Sequence, residues 1–130
     1  MKNLNRFQEP VYALMRIMTG LMFMSHGVQK LFGFPTEFPY PLNPMTTAAG
    51  GIELIGGTLI VIGLFTRPVA FLASGMCAVG YWMAHGMNGL FPIANGGELI
   101  ALYCFIFLFI STYGAGIWSV DNRKKLNIAS

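Results

Sequence analysis

Long apolar blocks, rather than short amphipathic repeats, dominate the pattern of hydrophobic and polar positions along the chain. Four such blocks lie at residues 11–32, 46–64, 68–85 and 97–117. Each approaches the roughly 20 residues that a helix needs to cross about 30 Å of hydrocarbon. The pattern therefore predicts an all-α fold, a polytopic membrane protein with four transmembrane helices in an antiparallel bundle. We expect residues 1–130 to form one membrane domain, and a hydrophobic soluble bundle is the alternative.

Prolines and glycines mark the ends of the predicted helices. Pro10 can open the first helix, where its missing N–H costs little, and Gly33 suits the position just after the last turn. The stretch at residues 34–45 contains four prolines and is expected to form a loop. Its aromatic side chains could lie at the membrane interface or fold inward as a lid, and the sequence does not decide between these two alternatives. Arg67 lies in a turn so short that the second and third helices must be antiparallel neighbours.

Positive charges are distributed unevenly between the predicted loops. Lysines and arginines precede the first helix, lie in the turn between the second and third, and follow the fourth; they are Lys2, Arg6, Arg67, Arg123, Lys124 and Lys125. The two other loops, residues 34–45 and 86–96, contain no lysine or arginine. Because cytoplasmic loops carry an excess of these residues, both termini are predicted to be cytoplasmic, which agrees with an even number of spans. The basic tail requires no nucleic-acid partner.

Composition supports the membrane assignment. Hydrophobic residues make up 55% of the chain and charged residues 10%, whereas a soluble domain has about 25% charged residues. With this few charged residues, the chain has too little polar surface to cover a soluble globule. We therefore predict that the lipid bilayer surrounds the protein. Small residues such as Gly50, Gly57, Ala70 and Ser74 recur at helical spacings that permit close helix packing, within one bundle or in a homo-oligomer.

Polar residues inside the apolar blocks are the candidate functional groups. On the first helix, Arg16, His26 and Lys30 fall in one arc of about 80°, because successive residues turn by roughly 100°. In the predicted orientation, polar residues of the other helices reach the same outer half of the membrane as His26. The predicted ligand-binding residues are His26, Lys30, Glu53, His85, Asn95 and Glu98. The predicted structural polar residues are Arg16, Gln29 and Arg67.

Several of these residues have a structural role as an alternative. Lys30 could extend its ammonium group to the membrane interface, and His85 could be wetted by the adjoining loop. Glu53 could form a purely structural ion pair, although buried pairs are weak sources of stability. Arg16 could pair with a helix terminus or a lipid phosphate. Because an ionised side chain at mid-bilayer costs about 2.5–3.5 kcal/mol, Glu53 and Arg16 are expected to face protein or trapped water.

The residue types favour some chemistries over others. A quinone site needs an apolar slot, a donor for a carbonyl oxygen and a nearby acid, which His26 or His85 with Glu53 could provide. The sequence has no ligand spacing typical of haem or a metal, and no nucleotide, flavin or iron–sulfur motif. Cys77 and Cys104 fall at similar depths on antiparallel helices, so a redox pair and two inert core cysteines are both open. No catalytic residue is predicted.

The chain resembles the DoxX family of small four-helix bacterial inner-membrane proteins. The resemblance rests on RIMTGLMFMSHGVQKLFG, on GGIELIGGTLIVIGLFTRP, and on ANGGELIALY followed by GAGIWSVD, and it runs from Arg16 to Asp121. It implies a multi-pass protein of the bacterial inner membrane. By kinship alone, it also implies a quinone or a redox protein as partner. The family pattern maps onto Arg16, His26, Gly27, Lys30, Gly33, Glu53, Gly57, Gly63, Arg67, Asn95, Gly96, Gly97, Glu98, Gly114 and Asp121.

Three functional hypotheses follow. The leading one is an inner-membrane component of a redox system that binds a quinone-like or other small apolar ligand among the outer-half polar residues. The second is a non-catalytic scaffold that assembles partner subunits, and the third is a small-solute transporter. A transport path would need polar groups that continue to the inner face, where only Arg16 and Thr19 are candidates. Whether the protein acts as a quinone-linked oxidoreductase subunit is left open.

Overall fold

Helices make up all the regular secondary structure of the residues that the structure, a computed structural model, describes. These are residues 2–129, with the side chains of residues 2, 124–126 and 129 excepted. In this range there is no β-strand, so the predicted all-α class is confirmed. The side chains of Lys2, Lys124 and Lys125, which contributed to the predicted orientation, lie outside the described residues.

Four long helices and several shorter ones follow one another along the chain. The elements are a 3₁₀ helix at Lys2–Phe7, α1 at Gln8–Phe32, α2 at Pro44–Ile62, α3 at Thr66–Ala84, a 3₁₀ turn at Gly86–Asn88, α4 at Pro92–Asn95, α5 at Glu98–Tyr113 and α6 at Val120–Ala129. The long helices α1, α2, α3 and α5 overlap the four predicted spans. That the whole chain forms a single membrane domain stays a prediction.

The long helices form two closely packed pairs, α1 with α2 and α3 with α5. The short turn at residues 63–65 connects the pairs. Helices α1 and α5 approach each other through aromatic rings, such as Phe23 of α1, whose ring centroid lies 4.7 Å from that of Phe107 and 5.8 Å from that of Tyr103. All three rings are buried. The four long helices therefore surround a common interior, where side chains from each of them can meet.

The start of α2 differs from the prediction. The sequence predicts a loop through residue 45, whereas α2 begins at Pro44. Asn43 Oδ1 accepts a hydrogen bond from the Thr46 N–H, and Thr46 Oγ1 accepts one from the Asn43 N–H, each at 2.9 Å. This capping box satisfies free N–H groups of the first turn, and proline is favoured at the first helical position because it needs no N–H partner there. The predicted boundary is therefore too late.

The predicted position of the end of the fourth helix is also wrong. The prediction runs to residue 117, whereas α5 ends at Tyr113. Gly114, Gly116 and Trp118 all have positive φ angles, of 99°, 66° and 55°, which a continuous right-handed helix does not allow. A polar helix that the sequence analysis did not predict, α6, then follows.

Hydropathy distinguishes the helices from one another. Among the described residues, α2 is the one helix that is both long and apolar enough, by length and composition, to cross a membrane. Helix α5 is apolar but has only 16 residues. The count of four spans and the cytoplasmic position of both termini stay predictions.

Candidate ligand-binding site

A cavity of about 240 Å³ lies between the four long helices, at the end of the bundle where α1 ends at Phe32 and α5 begins at Glu98. We call this the His85 end. Most of its wall is apolar or aromatic, and its polar groups come from α1, α2, α5 and the residue that follows α3. The lining residues are Phe23, His26, Lys30, Glu53, Met76, Cys77, His85, Gly96, Leu99, Ile100 and Tyr103.

A salt bridge joins α1 to α2 in the cavity wall. The Lys30 ammonium group donates to Oε1 of Glu53, and the two side chains are 18% and 8% exposed. The second carboxylate oxygen of Glu53, Oε2, is buried and has no hydrogen-bond partner among the described residues. The Lys30 Nζ also lies 5.8 Å from the ring centroid of Phe38, so the proline-rich loop lies beside the pair.

His85 follows α3 and is oriented by the α4 segment. Its Nδ1 lies 3.0 Å from the carbonyl oxygen of Asn95. Because a carbonyl can only accept, Nδ1 is the donor, which leaves Nε2 of a neutral ring as an acceptor. The Asn95 side chain donates to the Tyr81 hydroxyl and the Gly89 carbonyl, both at 2.9 Å, and accepts from the Gly97 N–H at 2.8 Å. Asn95 therefore positions the loop and His85 and does not itself line the cavity.

Tyr103 of α5 is a lining residue that the sequence analysis missed. Its ring lies edge-on to His26, with centroids 6.0 Å apart, and its hydroxyl is buried without a hydrogen-bond partner among the described residues. Leu99, Ile100 and Tyr103 are spaced at i, i+1 and i+4, which puts them on one helical face. That spacing was the available signal, but it is also common on any buried apolar face.

Of the six predicted ligand-binding residues, the structure brings His26, Lys30, Glu53 and His85 together around the cavity. Glu98, also predicted to bind the ligand, is the first residue of α5; it is exposed and does not line the cavity.

Gln29, predicted to be structural, donates to the hydroxyl of Thr36 at 2.9 Å and so links α1 to the proline-rich loop.

Arg16 lies at the opposite end of the bundle, where α2 ends at Ile62 and α3 begins at Thr66, which we call the Arg16 end. Its side chain is fully buried. Nη1 donates to the carbonyls of Ile60 and Val61 at 2.7 and 2.9 Å, and Nη2 donates to those of Ile117 and Trp118 at 3.3 and 2.9 Å. These contacts are those of a helix-capping residue, so Arg16 does not extend a polar path from the cavity.

A second, larger cavity of about 470 Å³ lies at the Arg16 end. The Thr66 hydroxyl in its wall is buried without a hydrogen-bond partner among the described residues, but the arginine and the aspartate that line it are engaged in capping helices. Arg67 donates to the carbonyls of Ser111 and Tyr113, both at 3.1 Å, and so caps α5. Asp121 accepts from the Phe65 N–H at 3.1 Å and the Thr66 N–H at 2.9 Å and so caps α3. The cavity at the His85 end is therefore the stronger candidate for a ligand.

Comparison with known proteins identifies the family. A family model described as DoxX matches residues 11–86. The chain belongs to the DoxX family. A Haemophilus influenzae protein is 40% identical over 130 residues, with 95% of this chain and 97% of that protein covered. The resemblance seen in the DoxX sequence motifs is thereby confirmed.

Two further relatives carry descriptive names. The inner membrane protein YphA of Escherichia coli is 32% identical, over 88% of this chain and 91% of its own length. The putative oxidoreductase CatD of Bacillus subtilis is 37% identical over 65 residues, which are 45% of this chain and 48% of CatD. No solved structure matches the DoxX chain. The family and its membrane relatives confirm the expected location in the bacterial inner membrane.

Proposed function

We propose that α1, α2, α3 and α5 cross the inner membrane, with both termini in the cytoplasm and the His85 end in the outer half. The distribution of lysine and arginine supports this orientation, because the two connections at the His85 end, residues 34–43 and 85–97, contain neither residue. Aromatic and aliphatic side chains are exposed along all four helices, for example Met18, Ile55, Phe71 and Phe105, at 58–68%. Such surfaces are stable in lipid but not in water.

We infer further that the cavity at the His85 end binds a small, ring-shaped apolar molecule of the quinone type, as part of a redox system. The main support is the composition of the cavity wall, to which all four long helices contribute. This largely apolar wall contains two histidines, a salt bridge and two buried polar atoms without hydrogen-bond partners among the described residues. A ring carbonyl could accept from Tyr103 or His26 while the ring packs against Phe23. A quinone would supply the capacity to carry electrons, which protein side chains of this site do not.

The cavity volume is sufficient for one ring. An engineered apolar cavity of about 150 Å³ in another protein is large enough for benzene. A volume of about 240 Å³ therefore fits a single substituted ring. The name of the relative CatD, a putative oxidoreductase, is consistent with a redox role, although the match covers less than half of either chain.

Binding of a short-chain benzoquinone to the purified chain in lipid nanodiscs tests this proposal. We expect saturable binding, weakened about tenfold by Tyr103→Phe, because a ring carbonyl then loses the hydroxyl that donates to it. Tyr40→Phe makes the same chemical change at an exposed loop position and should leave binding unchanged. Absence of saturable binding, or equal affinity of Tyr103→Phe and the parent chain, would contradict the proposal.

A non-catalytic scaffold is the second candidate function, and one observation favours it. The Lys30–Glu53 pair joins α1 to α2 and could serve to fix the register of these helices without any ligand. In that case, substitution of either residue should change stability and recovery of co-purifying subunits, while quinone binding is undetectable in the parent chain as well.

A further inference from the structure

Two of the buried polar atoms in the structure belong to residues of the cavity wall and have no hydrogen-bond partner among the described residues. They are Oε2 of Glu53 and the hydroxyl oxygen of Tyr103, whose residues are only 6% and 5% exposed. Buried polar atoms in proteins almost always have a partner, from the protein, from water or from a ligand. A group bound in the cavity can supply the partner of both atoms.

The position of the Tyr103 hydroxyl is restricted by the packing of its ring. The ring stacks on Phe107 with centroids 5.8 Å apart, and it meets Phe23 and His26 edge-on at 5.8 and 6.0 Å. With neighbours on these sides, the ring has little freedom to turn its hydroxyl toward another acceptor. The hydroxyl can both donate and accept a hydrogen bond.

Glu53 is restricted in a different way. Its Oε1 accepts from the Lys30 ammonium group, which orients the carboxylate. A carboxylate in a salt bridge has no proton to give, so Oε2 can only accept a hydrogen bond. The partner that Oε2 lacks is therefore a donor. A carbonyl group cannot supply it, whereas a hydroxyl group can.

Building on the ring-binding function proposed above, we propose that the site is specific for a ring that carries a free hydroxyl group, as in a hydroquinone. A ligand hydroxyl donates to Oε2 of Glu53, and a ligand hydroxyl oxygen accepts from Tyr103. The corresponding quinone accepts from Tyr103 but leaves Oε2 without a donor. The dimethyl ether of the hydroquinone has the same ring and lacks the same donor. The site thus prefers the reduced form of the ligand.

Three matched probes test the preference: a short-chain benzohydroquinone, its quinone and its dimethyl ether. Dissociation constants are measured without oxygen, by equilibrium dialysis against the full chain in nanodiscs. We expect the hydroquinone to bind about tenfold or more tightly than either analogue, since each lacks one hydrogen bond to a charged acceptor. Glu53→Gln should reduce this ratio toward one, because the charged acceptor of the ligand hydroxyl is lost. Tyr103→Phe should instead weaken all three probes by a similar factor, because an oxygen of each can accept from the Tyr103 hydroxyl. Tyr40→Phe, the same change at an exposed tyrosine, should leave all three affinities unchanged.

Two contrary outcomes are distinguishable. If the three probes bind equally well, or if the ratio survives in Glu53→Gln, specificity for the hydroxyl is refuted while ring binding stands. If none of the probes binds saturably, the proposed function fails and the specificity fails with it. Tyr103→Phe keeps the packed ring. Thermal unfolding of Glu53→Gln and Tyr103→Phe beside that of the parent chain shows whether a changed ratio or affinity comes from the site or from misfolding.

Discussion

Arg16 joins two separate parts of the chain through its guanidinium group. Four carbonyl oxygens, from the end of α2 and from the segment after α5, accept its hydrogen bonds while the side chain is fully buried. The last carbonyls of a helix have no partner within the helix, so an arginine can satisfy several of them at once. The residue therefore stabilises the Arg16 end, where the chain changes direction twice.

We expect Arg16→Met to lower the free energy of unfolding by about 3 kcal/mol or more, because several buried carbonyls lose their donors together. Unfolding of the purified chain by denaturant in detergent micelles measures the change. Arg6→Met removes a positive charge at an exposed position and serves as the control, with no expected loss. A similar stability of Arg16→Met and Arg6→Met would show that the capping bonds contribute little.

The Lys30–Glu53 pair can be tested as a unit. Removal of one partner from a buried pair leaves an uncompensated charge, so Lys30→Met alone should destabilise the fold by about 3 kcal/mol. The double variant Lys30→Met/Glu53→Gln should recover much of that loss, because no charge is then left behind. Denaturant unfolding of the single and double variants gives the coupling energy. Additive losses would mean that the two side chains do not interact in the membrane protein.

At the scale of elements, glycines determine how closely α1 and α2 approach. A Cβ atom placed on Gly57 would lie 2.6 Å from the Met24 backbone nitrogen and 2.8 Å from the Gly20 carbonyl oxygen. Both distances are shorter than real contacts of a Cβ atom, and neither partner is a side chain that could turn away. Helices that pack in lipid often meet through such small residues, because van der Waals contact drives their association.

Gly57→Ala is therefore expected to destabilise the protein by about 1–3 kcal/mol, the usual cost of an overpacked interface. Gly51→Ala is the matched control on the same helix, because nothing lies within 4 Å of its added Cβ atom. That control should be neutral or slightly stabilising, since alanine favours a helix more than glycine does. Thermal unfolding in the same detergent compares the variants. Equal melting temperatures would refute the close backbone contact between α1 and α2.

At the scale of the whole molecule, the proposed topology makes opposite predictions for the two ends of the bundle. In a background with Cys77→Ser and Cys104→Ser, single cysteines at Glu37 and Met87 should react with an impermeant maleimide in spheroplasts. Cysteines at Leu4 and Ile128 should react only after the membrane is opened. All four positions are exposed in the structure, so differences in labelling report the side of the membrane. Labelling of Leu4 or Ile128 in sealed spheroplasts would contradict cytoplasmic termini.

Local features of the sequence determined the helices and most of their limits. Apolar blocks of helical length predicted the all-α class, and Gly33 ends α1 in the left-handed conformation expected of it. Where a boundary was missed, a short-range signal was present, as in the capping box of Asn43 and Thr46. The sequence also pointed to His26, Lys30, Glu53 and His85, because polar residues inside apolar blocks are unusual wherever they occur.

Only the tertiary structure decided which polar residues meet. Tyr103 lines the cavity because α5 turns that face toward α1, whereas Glu98, five residues earlier, is exposed. Asp121 fits the family pattern, yet its capping of Thr66 joins residues 55 positions apart, and the Arg16–Trp118 bond joins residues 102 apart. Helical periodicity places a residue on a face, but the rotation of each helix depends on packing against all the others. The sequence alone therefore identified the polar residues that could lie inside the bundle. The packing of the four helices decided which of these residues line one cavity.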